Sequence, residues 1–279
     1  MITRRAFVRL SLGAGVSALG TGFYTWQIEP HWLEIVRRPL VIAGLPSALS
    51  GKSLVQISDL HAGPRVADDY LLDTFQRVKA LAPDLIVYTG DFTDYEPGIV
   101  EHAERIYADL PRGRLATLGI LGNHDYGPNW SHPEIAARIA DLLRAAGVQI
   151  LRNEVAEVAG LQVAGLDDLW ANRFRPSRAL ASLDPGRGAI VLSHNPDTVD
   201  RPVWKGYEGW IFAGHTHGGQ CKPPFLPPPL LPVKNRRYTA GEFELSRGRR
   251  LYVSRGVGHL LQVRFNVRPE VTVFELRAA

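Results

Sequence analysis

A chain of 279 residues, 45% hydrophobic and 22% charged, is long enough to bury the core of one large α/β domain or two small ones, and too apolar to be disordered. Its formal net charge of +4 is small and Arg4, Arg5 and Arg9 carry most of it, so nothing indicates a polyanion binder and no nucleic-acid partner is expected. The single cysteine, Cys221, excludes an intramolecular disulfide; its position beside a histidine run leaves it as a metal ligand, a reactive thiol or, preferably, a small packing residue.

The chain opens with Thr3-Arg4-Arg5-Ala6-Phe7-Val8-Arg9, and no acid precedes Glu29. A basic head before an apolar stretch is the pattern of an export signal, and paired arginines point to the twin-arginine route, which carries folded proteins. Residues 1–27 are therefore read as a twin-arginine signal or a signal-anchor. Val16-Ser17-Ala18 offers small residues suited to cleavage. The uncharged run Leu10–Gln27, about 18 residues, is also just long enough to span a bilayer uncleaved. Trp26 and Trp32 suit a membrane interface. The protein is expected outside the cytoplasm or anchored to the membrane, with the twin-arginine machinery as export partner.

Residues 28–50, with Pro30, Pro39 and Pro46, read as a connector, and residues 51–279 as one domain. Leu54–Ile57 is a short strand that runs into Ser58-Asp59-Leu60-His61. Asp69–Ala82 has helical apolar spacing and stops at Pro83. Leu85–Tyr88 is a strand ending in Thr89-Gly90-Asp91. Ile99–Leu110 is helical. Leu115–Leu121 is a strand ending in Gly122-Asn123-His124. Pro133–Ala146 is a helix closed by Gly147. Strands follow at Val155–Val158, Leu161–Leu166, Ala189–Leu192 before Ser193-His194, and Trp210–Phe212 before Ala213-Gly214-His215. Cys221–Pro232 holds six prolines and cannot be regular. Phe243–Leu245, Leu251–Val253 and Val271–Phe274 are terminal strands, with Arg247-Gly248 turning between the first two.

Strands alternating with helices give an α/β architecture, in which ligands gather beyond the carboxyl ends of the strands. Five apolar strands each deliver a metal-capable motif at that end. Asp59 and His61 stand two apart, as do His215 and His217, so each pair can face one side if the strand direction persists. Gly90, Gly122 and Gly214 allow sharp turns and close approach. Mixed oxygen and nitrogen donors without thiolate suit Mn, Fe, Zn or Co. With His124 set aside, seven donors remain: Asp59, His61, Asp91, Asn123, His194, His215 and His217. Two divalent metal ions sharing a carboxylate is the economical arrangement, and such a pair clamps both the attacking and leaving oxygens of a phosphoester.

Asp59-Leu60-His61, Gly90-Asp91-Phe92-Thr93-Asp94, Gly122-Asn123-His124-Asp125, His194 and Gly214-His215-Thr216-His217 together resemble, in order, the motif series of the calcineurin-like metallophosphoesterases. The resemblance covers roughly Lys52 to Leu276. It implies a two-sheet sandwich flanked by helices. It implies Asp59, His61 and His217 on a first metal, Asn123, His194 and His215 on a second, and Asp91 bridging. It leaves His124 as general acid or phosphate-binding group, with Asp94 in the family position that orients it.

The N-terminal signal, His215-Thr216-His217-Gly218-Gly219-Gln220, the tail Ser254-Arg255-Gly256-Val257-Gly258 and Arg264-Phe265-Asn266 narrow the resemblance to exported or membrane-anchored phosphodiesterases. Some of these act on UDP-2,3-diacylglucosamine in lipid A synthesis. His259-Leu260-Leu261-Gln262 is bulkier and more apolar than that subgroup implies, which favours a lipid-bearing substrate.

Lys234–Arg268 carries nine Lys/Arg against two acids. Arg236, Arg237, Arg255 and Arg264 are thus candidate partners of an anionic phosphoester, Arg255 and Arg264 foremost. Pro223–Pro232, with Phe225, Leu226, Leu230 and Leu231, reads as a buried cover in preference to a membrane-facing flap. The expected function is phosphodiesterase or pyrophosphatase. The alternatives are an exported phosphomonoesterase and, from another class, a cell-envelope binding protein with structural metals.

Overall fold

Each central strand alternates its apolar residues between two faces, and the structure puts a separate hydrophobic layer on each. The computed structural model describes residues 3–204 and 206–279. Met1 and Ile2, the start of the segment read from sequence as a twin-arginine signal or signal-anchor, lie outside the described residues. Strands β1 (Glu34–Ile42), β2 (Ser53–Ile57), β3 (Leu85–Thr89), β4 (Ala116–Ile120), β5 (Gln149–Ile150) and β12 (Glu270–Ala278) form one sheet in the order β1-β12-β2-β3-β4-β5. Strands β6 (Glu154–Val158), β7 (Leu161–Leu166), β8 (Ala189–Ser193), β9 (Trp210–Ala213), β10 (Gly241–Glu244) and β11 (Arg250–Val253) form the second, in the order β10-β11-β9-β8-β7-β6. Strands β2 to β5 run parallel, as do β7, β8, β9 and β11; β12 is antiparallel to β2.

The sheets pack face to face through Leu54, Leu85, Val87, Leu118 and Ile120 on one side and Ile190, Leu192, Trp210, Phe212 and Tyr252 on the other. The alternate residues Val55, Ile57, Ile86 and Tyr88 turn outward. There they meet helices α2 (Asp68–Ala80), α3 (Ile99–Tyr107) and α4 (Pro133–Ala145) through Phe75, Ile106 and Ile139. On the far face of the second sheet, Val191, Ile211 and Leu251 pack under helix α5 (Pro176–Ala181) and Trp204. This is the two-sheet sandwich flanked by helices that the motif order implied. Strand period two thus serves three layers with one alternation.

The stretch 28–50 is not only a connector. Nine of its residues form β1, paired in parallel with β12 from Glu34↔Glu270 to Ile42↔Ala278. Pro39 argues against a central strand, but β1 is an edge strand, where a missing N–H costs nothing. Leu33, Leu40, Ile42, Leu45 and Leu49 from this stretch are buried. The helix α5 and the two-residue β5 were not anticipated, and both are too short to give a periodic signal.

Helix α1 (Arg4–Phe23) buries no residue. With the turns that continue it to His31, it is one apolar helical stretch of 28 residues, long enough by length and composition to cross a membrane. Its end meets the domain, where Thr25 O accepts from Arg264 N (2.9 Å) and Glu29 Oε1 from Val267 N (2.6 Å).

These contacts predict two different truncation outcomes. Removing residues 1–23 leaves the melting temperature of the domain nearly unchanged. Removing residues 1–50 strips β1 from β12 and yields insoluble protein, and Leu40→Ala alone costs roughly 2–5 kcal/mol in denaturant unfolding.

Candidate metal centre

The carboxyl ends of β2, β3 and β4 from one sheet and of β8 and β9 from the other point to one place, so all seven proposed donors lie within a few residues of a strand end. Five of them, Asp59, His61, Asp91, His215 and His217, hold φ between 49° and 70°. Non-glycine residues rarely adopt this left-handed conformation, and its recurrence in one cluster marks a site where backbone strain is tolerated to aim side chains. Glycine lets the strand ends approach. A Cβ at Gly122 would collide with the carboxylate and backbone N of Asp91, and one at Gly214 with Ser58 and Asp59. Gln56, buried between the sheets, donates from Nε2 to Thr89 Oγ1 (3.1 Å) and Ala213 O (2.9 Å), tying β2 to the ends of β3 and β9.

Two groups of proposed donors result, one of Asp59, His61 and His217 and one of Asp91, His194 and His215, and a third metal-capable group joins His61 to Asp94 and His124. In the first, His61 Nε2 lies 3.1 Å from His217 Nε2, and His217 Nε2 lies 3.4 Å from Asp59 Oδ1. In the second, His194 Nε2 lies 3.1 Å from Asp91 Oδ2 and 3.3 Å from His215 Nδ1. Asp91 Oδ2 is also 3.6 Å from His61 Nε2, so the one oxygen faces both groups. Neighbouring carbonyls fix which nitrogen is presented. His194 Nδ1 donates to Thr89 O (2.7 Å) and His215 Nε2 to Pro232 O (2.8 Å), so His194 Nε2 is the nitrogen turned toward Asp91 and His215 Nδ1 the one turned toward His194. Backbone amides hold the carboxylates: His124 N donates to Asp91 Oδ1 (2.9 Å) and His215 N to Asp59 Oδ1 (2.9 Å).

The donor set fits divalent cations. Asp59 Oδ2 and both amide heteroatoms of Asn123 are buried without a protein partner, an arrangement that costs free energy unless something else satisfies them. Burial pushes His61 and His215 down to about 3, the neutral form whose lone pair binds a cation. Burial opposes charge on Asp91, but the imidazoles of His194, His124 and His61 outweigh it and hold its carboxyl well below the usual range. His194 is drawn the other way, to about 10, because Asp91 beside it outweighs burial.

His124 stands at the solvent edge of the cluster. Its Nδ1 lies 3.4 Å from Asp94 Oδ1, and its ring meets His61 edge-on at 4.9 Å between centroids. Burial lowers its pKa, but the carboxylates of Asp91 and Asp94 more than offset this and raise it above the ordinary value. The other oxygen of Asp94 is ion-paired with Arg65, whose side chain is half exposed beside it.

The two arginines expected to meet substrate are placed otherwise. Arg264 is fully buried and donates to the carbonyls of Val267 (3.1 Å), Arg255 (2.9 Å) and Gly258 (2.6 Å). It rivets the loop 254–258, whose Gly258 N donates to Asp59 O (2.7 Å). Arg255 is paired with Glu270 and with Glu34 (3.0 Å). Arg236 holds the proline-rich segment through Pro228 O (2.5 Å). A basic count along the chain does not reveal which guanidinium groups are already engaged inside the fold. Cys221 belongs to none of the metal-capable groups among the described residues.

Other residues at the site carried a weaker sequence signal. Asp125 accepts from Gly122 N (2.9 Å), Thr93 N (3.0 Å) and Thr93 Oγ1 (3.2 Å), locking the second and third motif loops together. Its place inside Gly122-Asn123-His124-Asp125 was the available clue. Trp170 packs edge-on against His215 at 4.3 Å and meets Trp130 in a tilted contact at 4.6 Å; Asp168 is buried in the same loop after β7. Nothing in their sequence spacing separates these from ordinary loop residues.

A sequence profile for calcineurin-like phosphoesterases matches residues 52–219, the span that contains every proposed metal donor. The chain belongs to the calcineurin-like phosphoesterase family. It is 31% identical to an uncharacterized metallophosphoesterase, YkuE, of Bacillus subtilis over 99% of this chain and 98% of that protein. It is 32% identical to the phosphodiesterase YaeI of Escherichia coli over 99% of this chain and all of the relative. It is 28% identical to the UDP-2,3-diacylglucosamine pyrophosphatase LpxG of Chlamydia trachomatis over 95% of this chain and 97% of the relative. Membership makes this calcineurin-like phosphoesterase a metal-dependent phosphoric ester hydrolase, and it makes divalent metals the cofactor class of the donor cluster.

The donor geometry predicts a stability effect independent of turnover. Adding Mn to the chelator-stripped protein raises its melting temperature, by the equivalent of about 2.7 kcal/mol at a hundredfold excess over Kd. Asp91→Asn removes most of that gain. So does Gly122→Ala, since its methyl group displaces the Asp91 carboxylate. Differential scanning calorimetry with and without metal reads all three.

Proposed function

We propose that the protein is a phosphodiesterase or pyrophosphatase that works with two divalent cations, outside the cytoplasm or at the membrane. The observation that carries this reading is the position of Asp91 Oδ2, which faces the His61 group and the His194 group at once. Asp59, His61 and His217 would hold one cation, Asn123, His194 and His215 the other, and Asp91 both. Bound there, the pair would activate water and neutralise charge on a phosphoryl group. The names of YaeI and LpxG, a phosphodiesterase and a diphosphate-cleaving enzyme, support a phosphodiester or diphosphate substrate, a nucleoside-diphosphate-linked lipid included.

His124 supplies the remaining chemistry. Against the effect of burial, the carboxylates of Asp91 and Asp94 raise its pKa above the ordinary value, which favours the protonated ring, and Asp94 orients it toward the solvent edge where a leaving group would depart. Water adds to phosphorus and releases a proton to solvent, the ester P–O bond breaks, the departing oxygen takes a proton from His124, and His124 regains a proton from solvent. Arg65, held beside Asp94, is within reach of the same region and is a better candidate for a phosphate contact than the engaged Arg255 and Arg264. A phosphomonoesterase would use the same groups. A binding protein with structural metals would have no use for an oriented imidazole at the edge of the cluster. The apolar helix at the N-terminus supports twin-arginine export or anchoring, with the membrane as the neighbouring surface.

The test is hydrolysis of bis-p-nitrophenyl phosphate by the chelator-stripped protein with and without Mn. Restoration by metal, abolished in Asp91→Asn, is the expected result. His124→Ala keeps the metal-induced rise in melting temperature and loses about 10²–10⁴ in kcat. If His124→Ala loses metal together with activity, its role as acid is wrong. Turnover of p-nitrophenyl phosphate alone moves the protein to the monoesterases.

A further inference from the structure

Beside the metal centre, on the His217 side, lies a groove of about 520 Å³, within the range of small-molecule sites. Leu230 and Leu231 of the proline-rich segment form one wall, Leu260, Leu261 and Val263 of the loop after Gly258 the other, and His217 reaches its surface. Gln220 sets the width. Its Nε2 donates to Leu261 O (2.8 Å) and Val263 O (2.9 Å), and its Oε1 accepts from Leu260 N (3.0 Å), so the loop is tied to the turn that follows His217. On the other wall, Pro232 O is held by His215 Nε2 (2.8 Å) and Pro228 O by Arg236. Both walls are thus fastened to proposed metal donors or their immediate neighbours.

The groove is apolar, and its rim is left in water. Leu230 is 75% exposed and Leu261 64% exposed, and Phe225 and Leu226 next to them in the same segment are exposed as well. The expectation of a buried cover for Pro223–Pro232 does not hold at these positions. Large apolar side chains exposed together mark a contact with something apolar. The position of the apolar N-terminal stretch says what. Its end is hydrogen-bonded to this same loop, Arg264 N to Thr25 O (2.9 Å) and Gln262 Nε2 to Trp26 O (3.2 Å), one residue from Leu261 and Val263. A segment able to cross a bilayer therefore enters the domain at the groove.

We propose that this groove is the binding site for an alkyl chain of a membrane-resident phosphoester, whose phosphate lies at the metal centre while the chain runs along Leu230, Leu231, Leu260 and Leu261 toward the bilayer. The proposal rests on the hydrolase reading above for the placement of the phosphate. Polar nucleotides or sugar phosphates would leave these walls in contact with water and gain nothing from them, whereas a chain that runs from phosphate to bilayer uses the walls, the rim and the N-terminal helix together.

The test uses the full chain in phosphatidylcholine nanodiscs with Mn, and two diesters, methyl p-nitrophenyl phosphate and octyl p-nitrophenyl phosphate. The octyl ester is expected to exceed the methyl ester in kcat/KM by on the order of tenfold or more, from burial of added methylenes. Leu230→Glu and Leu261→Glu bring that ratio toward one. Calorimetric binding of octyl phosphate against methyl phosphate measures the same preference without turnover. If neither ester is hydrolysed but octyl phosphate binds at least about tenfold more tightly and Leu230→Glu removes the difference, the groove stands and the hydrolase reading falls. Equal rates and equal affinities for the two chain lengths, or a preference that survives both substitutions, overturn the groove and leave the hydrolase intact.

Discussion

Asp91 is a buried carboxylate surrounded by imidazoles, and much of the molecule is arranged so that it can stay there charged. Isolated burial of such a group is costly, and pairing recovers that cost only with good geometry. The geometry comes from many directions. His194 and His61 approach one oxygen, and the backbone N of His124 donates to the other. Gly122 has no side chain because Asp91 occupies the space a Cβ would need. Removing any one of these leaves a charge in a low-dielectric interior without its partner.

The same constraint explains the backbone. An ordinary turn after β2, β3 or β9 would send Asp59, Asp91 and His215 along the strand axis, away from one another. The left-handed conformation at five donor positions turns them sideways into a common volume, and the packed inter-sheet layer resists relaxation of that strain. Asp125 and Gln56, neither of them a proposed metal donor, act as struts between motif loops that are distant in sequence. The cluster is therefore preorganised by the sandwich and not by local sequence alone.

The basic C-terminal third has a structural use at the positions that looked most like substrate contacts. Arg264 gathers four carbonyls beneath the loop that supports Asp59, and Arg255 bridges Glu270 and Glu34, joining that loop to the start of β1. In this way the edge strand, the end of the N-terminal helix and the metal centre share one set of fastenings. The groove beside His217 is bounded by this assembly on one side and by the proline-rich segment on the other.

The sequence alone picked out the candidate donors: Asp59, His61, Asp91, Asn123, His194, His215 and His217 each follow an apolar run, because a parallel strand must end before a polar donor can be presented. It also determined the layered architecture, since strand alternation and helix periodicity are local properties of the chain. Tertiary structure decided what depends on residues far apart. It decided that 34–42 is a strand, because only pairing with Glu270–Ala278 makes an edge position that accepts Pro39. It decided that Arg264 is sealed inside while Arg65 stays at the edge, and that Asp125, Asp168 and Trp170 belong to the site. Charge and spacing along a chain carry no information about which groups burial will consume as hydrogen-bond partners, and that is settled only when the two sheets close on each other.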